Sequence, residues 1–265
     1  MSDVLKSPCG LPAWSVFHVP HDSTCIPAEV RTQLLLTDDE LEHELLRMTD
    51  HHTAALFTEG VPPEQVVRAS VSRLVVDVER FEDDDQEVMA AIGMGAIYTR
   101  THDGRPLRKP PTASERQALL DGWYRPHHLR LQNRVQHMLD RHGRAFILDA
   151  HSFPAKPLPY ERDQREERPG ICLGTDGFHT PPELVDALAV SLSKAGFDVG
   201  INAPFSGALV PAKFFRSDPR VASLMVEVRR DLYMDESNAR VSAAFGLVAS
   251  AIRSALSDHL TTLLI

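Results

Sequence analysis

The sequence predicts an α/β fold: a single-domain three-layer sandwich, with a mixed, mostly parallel sheet and helices on both faces. Three observations carry this expectation. Apolar segments of strand length alternate with helical segments along the chain, the order expected when a largely parallel sheet is covered on both sides. The apolar run at 145–148 ends abruptly in Asp149, His151 and Ser152, as in sheets that present chemistry at the carboxyl ends of buried strands. No linker is long and polar enough to divide the 265 residues, so residues 1–265 read as one domain.

The elements follow in order. Residues 14–19 form an apolar strand leading into Pro20-His21-Asp22. Pro27 opens a short helix to about residue 35. Thr37-Asp38-Asp39-Glu40 is a capping box, in which each partner satisfies the other's backbone amide. The helix it starts runs to about residue 57, with Leu41, Leu45, Met48 and Leu56 on one face, and Gly60-Val61-Pro62-Pro63 stops it. Residues 65–78 are β-branched and read as one strand or two; 81–86 is a solvated acidic turn. A short strand is expected at 97–101, then a Gly104 turn and the Pro110-Pro111 breaker.

Residues 114–141 form a long helix that Gly143 terminates. The strand at 145–151 follows, and then a polar, proline-rich surface loop at 155–169, placed to act as a lid. Strands are expected at 171–173, 197–201 and 223–228. A helix at 181–195 ends at Gly196, and a long helix closes the chain at 237–264. There is no internal repeat.

Composition excludes several classes of function. Apolar residues make up 43% and charged residues 25%, ordinary values for a globular chain. The formal charge is −9, and the 28 basic residues are mostly arginine with no lysine-rich tract. Sequence-independent nucleic-acid binding needs a basic surface and is not expected. Local arginines can still line a positive pocket in an acidic protein. Cys9, Cys25 and Cys172 form no CxxC pair and no disulfide framework, which fits a reducing cytoplasm. Residues 1–10 lack the apolar core of a signal peptide, and no run approaches a membrane span of ~20 apolar residues. No membrane association is expected, and no feature fixes the oligomeric state.

Two histidines at strand ends, His21 and His151, are the leading metal ligands. Imidazole nitrogen suits Zn2+, and a catalytic zinc takes three protein ligands and leaves one position open. Asp50, read as lying within a helix on the face shared with Leu46 and Phe57, is the third candidate; His18, His51 and His52 are the alternatives. Glu227 interrupts the apolar strand Met225-Val226-Glu227-Val228. A buried acid needs a partner or a task, and it is either the general base beside the metal or an ion-pair partner of Arg229.

Arg73 and Arg80 are candidates to grip substrate carboxylates, with Arg229 as a third; alternatively Arg73 pairs with Asp77. Asn202 and Gly207 flank a turn suited to line a substrate site. Arg125 and His128 share a helix face and reach the site from the side, or else merely mark a helix interruption. No reactive-cysteine motif and no glycine-rich phosphate loop is present.

Several short stretches recur in a telling order. They are Val19-Pro20-His21, Thr49-Asp50-His51, the run from Ser72 to Arg80, Ile97-Tyr98-Thr99-Arg100-Thr101, Leu148-Asp149-Ala150-His151-Ser152-Phe153, Leu173-Gly174-Thr175, the run from Asn202 to Gly207, and Val226-Glu227-Val228-Arg229-Arg230. Together, over about residues 16–235, they resemble the N-formylglutamate amidohydrolase family.

The resemblance implies a zinc-dependent amidohydrolase with a zinc-carboxypeptidase-like fold. It gives His151 the part of the late histidine ligand, His21 that of the early one, and Glu227 that of the general base. The usual His-x-x-Glu pair is absent, because Thr24 stands where the glutamate would; Asp50 is therefore assigned as third ligand. The implied substrate is N-formyl-L-glutamate, an acidic N-acyl amino acid split to formate and glutamate late in histidine breakdown. A carboxypeptidase- or deacylase-type hydrolase and a non-catalytic metal- or ligand-binding relative are the alternatives. The sequence departs from the family at Asp22-Ser23 and Ala208, where glycine is usual, and at Glu79, where asparagine is usual. A carboxylate at Glu79 facing the pocket disfavours an anionic substrate, so amide hydrolysis is better supported than the identity of the acyl group or amino acid.

Overall fold

Nine consecutive buried residues, Ala145–Phe153, form the central strand β3, and the rest of the sheet is assembled around it. The computed structural model describes residues 10–263. Strand β1 (Ser15–Val19) lies on one side of β3 and β6 (Val221–Arg229) on the other; β2 (Val66–Arg68), β4 (Ile171–Gly174) and β5 (Val199–Ile201) complete the order β2-β1-β3-β6-β4-β5. All neighbours are parallel except the antiparallel pair β4 and β6. Burial on both faces explains why β1 and β3 read as continuous apolar runs.

Register fixes the chemistry. His18 lies opposite Asp149, and His151 opposite Glu227. Partners in register point to the same side of a sheet, so these four side chains share one face near the strands' carboxyl ends.

The helices are α1 (Ala28–Arg31), α2 (Asp38–Met48), α3 (Thr53–Thr58), α4 (Ala113–Leu119), α5 (Arg125–His142), α6 (Pro182–Lys194) and α7 (Phe245–Leu263). They cover both faces of the sheet. Helix α5 packs on β1, β2 and β3, while α3 touches β1 and β3 and joins α7, which packs on α6. The main core includes Phe17, Phe146, Leu148, Val226, Leu131 and Ile252.

Four expectations of the sequence are corrected. The helix expected to reach residue 57 breaks after Met48: Thr49 is extended and His52 has a left-handed φ of 67°. Thr49 and Asp50 are weak helix formers, and the Asp50 amide donates instead to the His21 carbonyl at 2.9 Å. Of residues 65–78 only Val66–Arg68 is a strand; 71–81 folds into turns in which the Ser72 hydroxyl accepts from the Leu74 amide and the Asp77 carboxylate from the Glu79 amide.

Residues 97–101 form no strand, only a bridge between Arg100 and Pro106; Ile97 and Tyr98 serve instead as anchors of two small satellite cores. The closing helix starts at Phe245 rather than 237, because Asp235 captures the Ser237 amide and a hairpin of β7 (Met234–Asp235) and β8 (Arg240–Val241) intervenes. The expected helix at 114–141 is continuous, but Leu120–Tyr124 is a π turn between α4 and α5. The expected end at residue 264 lies outside the described residues, as does Cys9. Cys25 and Cys172 are free thiols. Among the described residues no helix is long and apolar enough to cross a membrane.

Candidate metal and catalytic site

A cavity of about 420 Å³ opens at the carboxyl edge of the sheet, lined in part by His21, Asp50, Arg73, Arg80, His151, Glu227 and Arg230. His21 follows β1, His151 and Glu227 sit on β3 and β6, and Asp50 sits at the break between α2 and α3. That break is what turns the Asp50 carboxylate inward, where a continuous helix would have carried it past.

Three ligand atoms converge. Asp50 Oδ2 lies 3.3 Å from His151 Nδ1 and 3.7 Å from His21 Nδ1. One atom from each of His21, Asp50 and His151 lies within 4.8 Å of the others, and all three residues are buried. His21 Nδ1 is buried with no hydrogen-bond partner. An orphaned buried nitrogen is costly, and here it faces the shared point. Two imidazoles and one carboxylate are a donor set that suits a divalent zinc-like ion, so the residues present fit a metal.

The remaining atoms of these three side chains are held by an outer layer. His21 Nε2 pairs with Asp77 Oδ1 at 2.7 Å, and His151 Nε2 with Asp149 Oδ1 at 3.0 Å. Carboxylates behind imidazoles fix the ring tautomer and raise ligand basicity. Asp77 is in turn gripped by Arg73 at 2.8 Å and bonded by the Tyr98 hydroxyl. Arg230 donates to Asp50 Oδ1 at 2.8 Å and to Ser152 Oγ at 3.1 Å.

The electrostatics follow from this arrangement. Burial works against the charge of Asp50, yet the hydrogen bond from His151, the neighbouring His21 ring and the charge of Arg230 hold its carboxyl well below the usual range. Burial likewise opposes the charge of Asp77, and Arg73 and His21 overcome it. Burial would lower His151; Asp149 and Asp50 instead raise it well above an ordinary imidazole. Glu227 differs. Its Oε2 is buried without a partner, and burial pushes its carboxyl up to about 8, with the charge of His151 opposing and that of Asp50 adding. A carboxyl with a free oxygen and a pKa near neutrality at a cavity wall is chemically able to exchange a proton there.

Of the residues singled out from the sequence, His21, Asp50, His151, Glu227, Arg73 and Arg80 meet on this cavity. Arg73 makes the Asp77 pair that the sequence offered as its alternative role. Arg80 lies farther from Asp77, at 3.8 Å, and its Nε is buried with no hydrogen-bond partner.

Three substrate-binding candidates lie off this cavity. Asn202 takes a left-handed φ of 55° and spends its side chain on Thr175. Gly207 serves its turn with a φ of 96°. Arg229 donates to Asp231 and to the Arg168 carbonyl, and lines a separate surface depression. Strand β6 ends at Arg229, and the 3-10 turn that follows swings Arg230 inward instead.

Two of the alternative ligands are also placed elsewhere. His52 bonds the Ala239 carbonyl at 2.7 Å, and His18 is buried behind the site against Asp149 at 2.8 Å. Arg125 faces outward to Glu82 and Asp121, whereas His128 packs against Tyr124 at a tilt, with ring centroids 4.3 Å apart. Glu79 lines the cavity, and its Oε1 lies 3.2 Å from His18 Nδ1 and 4.0 Å from His151 Nε2. It shares in the layer behind the ligands. Arg230 and Tyr160, the latter on the 155–169 loop, also line the cavity and were missed. The Arg229-Arg230 pair at a strand end was the available signal for the first; a single aromatic in a proline-rich loop gave none for the second.

The model of the N-formylglutamate amidohydrolase family matches residues 14–234. The chain belongs to that family. An N-formylglutamate deformylase of Pseudomonas putida is 28% identical over 177 residues, 65% of this chain and 65% of that protein; the chain thus spans just under two thirds of that relative's length. The crystal structure of an N-formylglutamate amidohydrolase from Ralstonia eutropha JMP134 superposes with a TM-score of 0.80 at 26% identity, covering 97% of this chain and 96% of the other. A gene product of Agrobacterium tumefaciens superposes at 0.63 with 19% identity, covering 95% and 93%; at that identity it speaks for the fold alone. For an N-formylglutamate amidohydrolase family member, the converging ligand atoms lie within the matched segment.

Proposed function

We propose that this protein hydrolyses the amide of an N-acyl amino acid, most simply N-formyl-L-glutamate to formate and L-glutamate, at a zinc ion held by His21, Asp50 and His151. The substrate is taken from the names of the relatives; the chemistry rests on the convergence of the three ligand atoms beside the unpaired oxygen of Glu227. Bound zinc supplies a Lewis acid for the amide carbonyl and lowers the pKa of water.

The chain's own residues supply the rest. Glu227 Oε2 accepts a proton from the attacking water and returns it to the leaving amine. Asp77 and Asp149 keep the two imidazoles in the tautomer that leaves Nδ1 free. Arg80, whose Nε–H has no protein acceptor, receives a substrate carboxylate, while Arg73 is committed to Asp77 and acts as its support. The scattered cysteines favour a reducing cytoplasm as the working compartment.

The test is a formate-release assay on metal-loaded protein with N-formyl, N-acetyl and peptide substrates, with Glu227→Gln beside the parent. We expect turnover of N-formylglutamate and a loss of roughly 100- to 10,000-fold in kcat for the variant, with zinc still bound. Zinc bound by the parent but no release from any substrate points to a binding protein instead.

A further inference from the structure

A file of buried polar side chains runs from the cavity into the protein. His151 Nε2 lies 3.0 Å from Asp149 Oδ1; that oxygen lies 2.8 Å from His18 Nδ1; His18 Nε2 lies 2.8 Å from His127 Nε2. The four residues come from β3, β1 and α5, and none is more than 5% exposed.

The hydrogens can be placed by chemistry. His151 Nε2 faces the Asp149 carboxylate, which can only accept, so Nε2 carries a hydrogen and donates it to Asp149. His18 donates to the same oxygen from Nδ1. Two imidazole nitrogens 2.8 Å apart then need one donor and one acceptor. Burial and the neighbouring charge of His18 push His127 down to about 2, so its ring is neutral and shares a single hydrogen with His18 Nε2, while its own Nδ1 is buried without a hydrogen-bond partner. His18 is therefore pinned at both ends, and it pins Asp149.

The start of α5 touches the cavity by a second route. The Tyr124 hydroxyl donates to the Arg80 carbonyl at 2.7 Å. Tyr124 ends the π turn that precedes His127, a helix irregularity often found at functional sites.

We propose that His127 is a positioning residue for the metal site: through His18 and Asp149 it fixes the orientation and tautomer of the His151 imidazole from helix α5. This rests on the metal reading above. His127→Phe keeps a ring of similar size and removes the nitrogen. It leaves His18 Nε2 unpaired in a buried site, frees His18 to turn, and loosens the carboxylate behind His151. His127→Gln returns an amide group near the position of the lost Nε2.

The experiment is zinc affinity by chelator competition on the full-length chain, which requires no substrate. Outer partners of metal ligands typically affect affinity 10- to 100-fold, so we expect roughly a 10-fold loss in His127→Phe and recovery in His127→Gln. A parent that binds no zinc ends the metal reading and this proposal with it. A zinc-binding parent with unchanged affinity in His127→Phe overturns this proposal alone. Should His127→Phe fail to fold, the imidazole 15N spectrum of the metal-free parent decides. A hydrogen shared between His18 and His127 supports the relay; rings that titrate independently overturn it.

Discussion

His21 Nδ1 and His151 Nδ1 face the same oxygen of Asp50, at 3.7 and 3.3 Å, although the two histidines lie on different strand ends and 130 positions apart. Their ring centroids are 5.1 Å apart. Among the described residues no hydrogen bond reaches His21 Nδ1, and that open nitrogen is what the metal proposal rests on.

Metal removal follows directly. Zinc that binds the native state and not the unfolded chain stabilises by RT ln(1 + [L]/Kd), about 2.7 kcal/mol at a hundredfold excess over Kd. Stripping the protein with a chelator should lower Tm, and zinc should restore it. Asp50→Asn keeps the shape but loses the anion, and also leaves Arg230 without its partner. It should abolish the zinc-induced rise in Tm. A parent whose Tm ignores zinc contradicts the ligand assignment.

The metal-free protein should respond to pH through His18. Burial disfavours the charged ring, but Asp149 and Glu79 outweigh it and raise His18 to about 9, against about 6.5 when unfolded. The native state thus holds more protons than the unfolded chain between those values. The stabilisation is full below pH 6.5 and is lost as pH rises toward 9. The difference in urea midpoint between parent and His18→Gln should shrink across that window by the equivalent of about 3 kcal/mol at most. Comparing the two proteins separates His18 from Glu227, whose carboxyl, raised to about 8, acts in an overlapping range but is common to both. An invariant difference would contradict the assignment.

Much of this was legible in the sequence, for reasons that differ by residue. The strand-end histidines and Glu227 stood out because a charged group after or within an apolar run breaks a strong pattern, and register then places them together. Asp50 was read on a continuous helix; periodicity along the chain does not report that the His21 carbonyl and Arg230 draw it out of helical geometry. Arg125 and His128 were read either as reaching the site from the side or as marking a helix interruption; the helix is interrupted by the π turn at Leu120–Tyr124, and it is His127 that makes the inward contact. Residues 71–81 have β-branched composition but are held by Ser72 and Asp77 side-chain turns that compete with strand pairing.

Substrate charge should be read by Arg80. Arg73 and Arg230 lie 2.8 Å from Asp77 and Asp50, whereas Arg80 Nε stands 3.8 Å from Asp77, too far for a hydrogen bond, and has no acceptor among the described residues. A hydrogen bond to a charged group contributes about 1.5–3 kcal/mol. Arg80→Met should raise KM for N-formylglutamate roughly 10- to 100-fold with kcat little changed. Steady-state kinetics on N-formylglutamate and on an N-formyl neutral amino acid in parallel will separate a lost carboxylate contact from general damage. Equal losses on both substrates would exclude Arg80 as the discriminating residue.

The loop that borders the cavity should depend on Arg168. Its guanidinium pairs with Glu161, donates to the Pro154 carbonyl at 2.9 Å, and lies over the rings of Phe153 and Phe205 at 5.0 and 5.3 Å. Both charged side chains are almost wholly buried, at 1% and 4% exposure. Removing one member of a buried pair strands the other charge and costs about 3–5 kcal/mol, whereas replacing both by apolar groups costs far less. Arg168→Met should therefore lower the urea midpoint sharply, and Arg168→Met with Glu161→Leu should recover much of the loss. Because Glu161 and Tyr160 line the cavity, the single variant should also lose turnover at temperatures where it remains folded. Equal stability in the single and double variants would mean that the pair is not what fastens this loop.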